Sequence, residues 1–477
     1  MLTLMSFLVL PASVLAFGWP DRLLQLILLF SVFEAAAALI IGSLGLQPGI
    51  VPASVFIGAV SLQYLLGVRY PGEREVLWTL TPFLLLTLVT LLGALALPRL
   101  FAGQVLVWPE KQTAGLAPFP IELGPTQGNI TQSLYLIVNC LVLTATALFS
   151  TRSDLRPRAL LDTYFVSVLV VLAVSLWQFA SKLVGVWFPE DFFYSNPGWA
   201  ILTEQDIAGV PRINGTFSEP AALATFLCGA AFASAWTVLH GHRGRLALCV
   251  LPGSVAGILL STSTTGIATL LIGGVGLGLY ALTGASATVR GRIVGTGAVG
   301  AALLGLLVAL SPVIGPGLGD AADKVLDSTL HKDESASYGD RTALDLDSLA
   351  TLGPTYGLGV GWGSNRSSSL IPGLLAANGV VGFGLLVWFV ARILATLRGV
   401  RAQGPGTAMV VPALSAATLG VLVASLLSAP TIDDVHFYVL LGLLIGCAAR
   451  LPSRAAPAPR RSGRVRPPTW TPDGRPA

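Results

Sequence analysis

Three stretches of this 477-residue chain carry side chains of the kind that do chemistry, each at the edge of an apolar run. The first is PRINGTFSEPAALATFL at 211–227, which sets Arg212 ahead of an apolar segment and Glu219 about one turn into it, before Pro220. A carboxylate there is costly unless it is paired or faces a wet cavity, so the position is a candidate site. The bland alternative is an interfacial arginine that pairs with the glutamate or snorkels to the surface. The second stretch, YGDRTALDLDSLATLGPTYGLGVGWGSNRSSSLIPGLLAANGVVGFG at 338–384, brings Asp340, Arg341, Asp345, Asp347, Asn365 and Arg366. With them come Gly357, Gly359, Gly361 and Gly363 and a run of serines. Arginine forks bind phosphate bidentately, and glycine-rich backbone can approach an oxyanion closely. Arg341 and Arg366 with Arg212 would make a pyrophosphate cradle, with Asn214 and Asn365 beside it; a flexible loop with solvated charges is the other reading. The third stretch is TIDDVHFYVLL at 431–441, with Asp433, Asp434 and His436. A histidine beside carboxylates can act as a base, and the same residues can equally be a solvated helix end-cap. His331 is a lone histidine in a long polar loop and carries little by itself.

Other chemistries lack their residues. There is no G-x-x-x-x-G-K-[ST] and no H-E-x-x-H, so neither a P-loop nor a zinc hydrolase is indicated. The Gly-Val-Gly-Leu-Gly run at 274–278 lies in an apolar segment and reads as helix packing, not as a nucleotide loop. Asn129, Asn214 and Asn365 each open an N-x-[ST] pattern, with modification not expected in a chain that otherwise reads as bacterial. Cys140, Cys228, Cys249 and Cys447 sit in or beside apolar runs with no C-x-x-C pair, which suits small core residues and not a disulfide framework.

The elements that must position these residues are membrane helices. Hydrophobic residues make up 53% of the chain and charged residues 11%, and mean hydropathy is +0.76. So few charges cannot cover a soluble surface. In lipid, backbone groups must be satisfied within helices or closed barrels, and the runs here are continuous and not alternating, which favours helices. Apolar segments lie near 1–18, 23–46, 50–68, 76–97, 132–150, 159–188, 214–239, 246–260, 264–283, 293–314, 369–397, 408–428 and 434–449, giving 12 or 13 spans. The expected fold is an all-α polytopic membrane domain over 1–449, followed by a basic Pro/Arg/Ala-rich tail at 450–477 that reads as disordered. The N-terminal run lacks a basic leader and reads as the first span and not as a cleaved signal. Arginine bias in the connections, including Arg152, Arg156, Arg158, Arg290, Arg292 and Arg398, puts the tail in the cytoplasm. The longest loops, 98–131, 189–213 and 315–368, then face outward, and leucine spacing at Leu326, Leu330, Leu344, Leu346 and Leu349 predicts partial helix in the last. No nucleic-acid partner is indicated.

RINGTFSEPAALATFL, LLSTSTTGIATLLIGG at 259–274, and the loop with GDRTALDLDSLATLGPTYGLGVGWGSNRS resemble, in that order, the O-antigen polymerase and ligase superfamily. The repeat-unit polymerase (Wzy-type) branch is the nearer one, and the resemblance runs over about 125–447, from Asn129-Ile-Thr-Gln onward. It implies a metal-independent, inverting glycosyl transfer with no cofactor, on the outer face of the bacterial cytoplasmic membrane. The donor would be an oligosaccharide on undecaprenyl pyrophosphate and the acceptor a hydroxyl of a second lipid-linked unit. A chain-length regulator, a flippase and membrane lipid are the implied partners, and a GT-C-like architecture is compatible with this. Arg212 and Arg341 match the arginines held to bind the pyrophosphate, and the base is left open between Glu219 and Asp340. Ser367, Ser368 and Ser369 occupy the region where the ligase branch carries a histidine, which counts against a ligase. The alternatives are transfer to another acceptor by a ligase, or a polytopic transporter or flippase of polysaccharide precursors. The charged residues gather at one edge and no repeated halves are evident, which disfavours transport.

Overall fold

A computed structural model of the chain describes residues 1–450 except 43, 110–118, 205, 208–209, 242–243, 299–335, 399–404 and 430. His331, Leu326, Leu330, most of the 293–314 segment, the start of the 315–368 loop and the tail beyond 450 lie outside the described residues. The protein is mostly helical. Seven described helices are long and apolar enough to cross a membrane. They are α4 (Glu73–Leu100), α5 (Gln127–Phe149), α6 (Pro157–Val184), α8 (Pro220–Leu239), α10 (Thr264–Thr283), α12 (Leu370–Arg398) and α13 (Pro405–Ser428). Shorter apolar helices are α1 (Ser6–Leu15), α3 (Ile50–Leu65), α9 (Arg245–Leu260) and α14 (Val435–Ala448). The remaining two that matter are α2 (Pro20–Phe30) and α11 (Ala336–Ala350), while α7 (Glu190–Phe193) is a single turn. Leu88, Leu92 and Leu95 of α4 and Leu271, Val275 and Leu279 of α10 point outward and are exposed. Lipid is the solvent that such faces suit, so this is a multi-pass membrane protein.

Lipid supplies no hydrophobic drive between helices, and close backbone packing takes its place. α14 is buried at every residue, and its Gly442 and Gly446 are pressed on the Leu143 and Ala147 carbonyls of α5, leaving no room for a Cβ. Gly420 of α13 does the same against Cys228 and Gly229 of α8. Helix starts follow local chemistry. Pro157 and Pro220 open α6 and α8 at positions whose N–H needs no partner. A capping box between Thr126 and Asn129 opens α5.

The N-terminal third differs from the expected spans. The 1–18 segment yields only the ten-residue α1, and 23–46 is not one helix. It stops after Phe30, runs irregularly through 31–38, and turns back as a hairpin of β1 (Leu39–Ile41) on β2 (Leu44–Leu46). Gly42 adopts the left-handed backbone of that turn, with φ +62°. Gly45 lies so close to the Asn196 side chain that a Cβ would overlap it. These glycines mark a break that hydropathy alone conceals. Two smaller expectations are also corrected. Gly274, Gly276 and Gly278 have nothing packed on them, and only Gly273 meets a neighbour, the Phe232 ring. Cys140, Cys228 and Cys447 are buried, but Cys249 is exposed on α9.

Candidate functional site

Arg212 leads into the loop 213–219, whose shape is fixed by a buried amide pair. Asn214 Nδ2 donates to the Phe217 carbonyl at 2.7 Å, and Gln178 of α6 accepts from the Asn214 and Gly215 amides at 3.0 and 2.9 Å. Gln178 Nε2 in turn donates to Asn214 Oδ1. Asn214 is thus occupied by the loop itself. The carbonyl of Arg212 accepts from Lys182 Nζ at 2.7 Å, and its Nε donates to the Ser261 carbonyl at 3.2 Å. Ser261 closes α9, and Thr262 follows with φ +48° before Ser263 caps α10 by accepting from the Gly266 amide. A β-branched residue in the left-handed region costs on the order of 1–3 kcal/mol and persists only where the surroundings impose it. Here it turns the chain between two helices at the carbonyl that orients Arg212.

Arg341 comes from the far side of the sequence, in the first half of α11. It is half-buried, and Nη1 donates to Ser428 Oγ at 2.7 Å. Burial lowers the Arg212 proton affinity below that of a free arginine; Glu219 acts in the opposite sense, and the Arg341 charge adds to the lowering. The two arginines and Glu219 therefore share one end of the bundle. Glu219 is the N-cap residue of α8 and is half-buried. Asp340, one residue before Arg341, is exposed.

The rest of the glycine-rich stretch is tied into the fold. Asp345 accepts from the Ser368 and Ser369 amides at 2.7 and 3.1 Å, which fastens α11 to the start of α12. Trp108 donates from Nε1 to Asp347 at 2.9 Å and from its amide to Asn365 Oδ1 at 3.0 Å, while Asn365 Nδ2 donates to Ser348. Gly361 and Gly363 have φ +92° and +76° and are pressed on the Gly93 and Gly128 carbonyls, so their open side faces helices α4 and α5. Arg366 is exposed, with its amide donating to the Trp108 carbonyl at 2.8 Å. Asn129 is buried, and donates to the Trp362 carbonyl and Ser364.

Sequence reasoning missed Glu34. It lies in the irregular 31–38 segment, and its Oε1 accepts from Ser218 Oγ at 3.1 Å. Burial, together with Asp434, Glu219 and Asp433 nearby, pushes its carboxyl up to about 8, with the Ser218 hydrogen bond pulling the other way. A lone carboxylate inside a 24-residue apolar run was the available signal. Asp433 and Asp434 precede α14 and are half-buried, and burial raises them to about 6 and about 7. Asp434 does cap α14, accepting from the His436 amide at 2.9 Å. His436 turns away into the core, where Nδ1 meets Ser31 Oγ at 2.8 Å and the ring packs on Tyr164 and Phe226. The carboxylates act on one another without converging: among the described residues, no group of three His, Cys, Asp or Glu side chains is placed to hold a metal ion.

Beside this polar end, Leu370, Leu374, Leu386, Val390 and Leu426 line an open and almost wholly apolar groove between α12 and α13. Leu370 follows Ser369, which bonds Asp345, and Leu426 is two residues before Ser428, which bonds Arg341. Comparison with protein-family models and with curated proteins gives no match to this chain.

Proposed function

We propose that this protein joins lipid-linked oligosaccharide repeat units at the outer face of the bacterial cytoplasmic membrane, as a GT-C-like polysaccharide polymerase. The reading is carried by Arg212, bonded to Ser261 after α9, and Arg341, bonded to Ser428 at the end of α13, whose charge is felt by Arg212. Two guanidinium groups at one half-buried place, with Glu219 beside them, have the fork geometry that suits a dianion. Their setting next to the apolar α12–α13 groove suits an anion that carries a lipid. Undecaprenyl pyrophosphate bearing a glycan has that chemistry, and the arginine bias turns this end outward.

In the reaction, a hydroxyl oxygen of the acceptor unit attacks the anomeric carbon of the donor. The bond from that carbon to the pyrophosphate oxygen breaks, and the electron pair leaves with undecaprenyl pyrophosphate. Preorganised guanidinium groups stabilise the charge that develops there without reorganising. Holding two lipid-borne substrates in line removes much of the entropic cost of their encounter. A chain-length regulator and a flippase would work beside such an enzyme. The test is polymer length on gels from a deletion strain complemented with Arg212→Ala or Arg341→Ala, with membrane levels checked. Well-expressed variants that give only single repeat units support the reading. Polymer of normal length from both would remove the pyrophosphate cradle and favour transport or assembly.

A further inference from the structure

A displacement of this kind needs a group to take the proton of the attacking hydroxyl, and the sequence left that group open between Glu219 and Asp340. Asp340 is exposed. Glu219 acts on both Arg212 and Glu34, and its charge is engaged with the arginine that would hold the leaving group. In an inverting displacement the nucleophile enters from the opposite face of the sugar, and the base must lie across the ring from the pyrophosphate. Arg212 responds to Glu219 and Arg341, whereas Glu34 responds to Glu219, Asp433 and Asp434. Glu34 is thus set beside the residue that precedes Glu219, through the Ser218 hydroxyl that donates to it at 3.1 Å.

The Glu34 turn is built for position. Its Ala35 amide donates to the Thr216 carbonyl at 3.1 Å, and Thr216 Oγ1 donates back to the Val32 carbonyl. On its other flank the Asn196 amide donates to the Ala35 carbonyl at 3.1 Å, and Ser195 Oγ accepts from the Ala37 amide at 3.1 Å. Ser31, three residues before, is bonded to His436 at the start of α14. The turn is held by the Arg212 loop on one side and by α14 on another, and it carries a carboxylate between them. Ser218 Oγ donates to it, one residue from Glu219.

We propose that Glu34 is the general base, a catalytic residue that takes the proton from the acceptor hydroxyl as the new glycosidic bond forms. The assignment rests on the glycosyl-transfer reading. The proton moves to a Glu34 oxygen while the electron pair of the broken bond leaves on the pyrophosphate, so charge moves from the carboxylate to the pyrophosphate. The raised proton affinity of Glu34 suits the role, because a base works best when its value lies near the operating pH. The groups that face it are Ser218 and Glu219 before α8 and Asp433 and Asp434 before α14.

The test uses purified full-length protein and lipid-linked single repeat units extracted from cells lacking this chain. Rate is followed against pH for wild type, Glu34→Gln and Glu34→Asp, with inhibition by undecaprenyl pyrophosphate reporting donor-site binding. Glu34→Gln is expected to lose turnover by about 100-fold or more, with inhibition unchanged. Its residual rate should lack the rise through about pH 8 that wild type shows, and Glu34→Asp should recover part of both rate and rise. A Glu34→Gln rate and pH profile like wild type overturns the assignment. So does loss of rate together with loss of undecaprenyl pyrophosphate inhibition, which marks a structural role. If wild type itself makes no polymer from these units, the glycosyl-transfer reading falls and takes this assignment with it.

Discussion

Arg341 on α11 donates to Ser428 Oγ at 2.7 Å and so fastens its helix to the last residue of α13, 87 positions further along the chain. A hydrogen bond to a charged group contributes about 1.5–3 kcal/mol. If that bond aims the guanidinium, Ser428→Ala should slow polymer formation about tenfold. Membrane levels should stay normal. A wild-type rate in vesicles would show that Arg341 is aimed by other contacts.

Glu34 and Asp434 make stability depend on pH. Their folded values, about 8 and about 7, exceed the ordinary 4.5 and 3.8, so the fold binds these protons more tightly than the unfolded chain does. Their contribution is most favourable at low pH and is lost as pH rises from about 4 to about 8. Glu34→Gln should therefore melt close to wild type at pH 5 and above it at pH 8, as read by thermal unfolding in detergent. A variant that melts lower at pH 8 would contradict this.

Asn214→Ala should act on folding. It leaves Gln178 and the Phe217 carbonyl without their buried partner, at about 1–3 kcal/mol for each orphaned group. Thermal unfolding should shift down, and activity should fall only as the folded fraction falls. Inactive protein with an unchanged melting curve would instead make Asn214 a substrate contact.

Gly361→Ala and Gly363→Ala are expected to lower the yield of folded protein. Each Cβ would meet a carbonyl, Gly93 at 2.9 Å and Gly128 at 2.6 Å, on a left-handed backbone. Folded but inactive protein would point instead to an oxyanion contact at the glycines.

Arg366→Ala separates the two outer arginines of the second stretch. Arg366 is exposed, and its substitution should change polymer amount by no more than about twofold. A loss equal to that of Arg341→Ala would extend the cradle to three arginines.

The long apolar helices were legible because each is a continuous run near the thickness of a bilayer, as α4, α6 and α12 show. The same count failed over 23–46, where the helix stops after Phe30, an irregular segment follows, and Gly42 turns the rest of the apolar run into a hairpin. Arg212 could be singled out as a charge at the edge of an apolar segment, and Arg341 as an arginine ahead of the glycine-rich stretch in a long polar loop. Their approach could not, because it depends on α11 hanging from α12 through Asp345. Glu34 was hidden for a related reason. Its chemistry comes from Ser218, Glu219 and Asp434, which are near it only after folding.

Between Gly357 and Gly363 every second residue is a left-handed glycine, and three of them are seated on three different helices: Gly359 on α12, Gly361 on α4 and Gly363 on α5. A joint seated in this way offers no hinge, and the helix ahead of it is tied again through Asp345. The arginine it carries is in place before any lipid arrives. On the proposed function, nothing has to swing shut for a catalytic cycle to begin, and the waiting time belongs to the bilayer. Turnover would follow the traffic of lipid-borne units across the membrane plane, slowing in proportion as they are diluted with inert lipid.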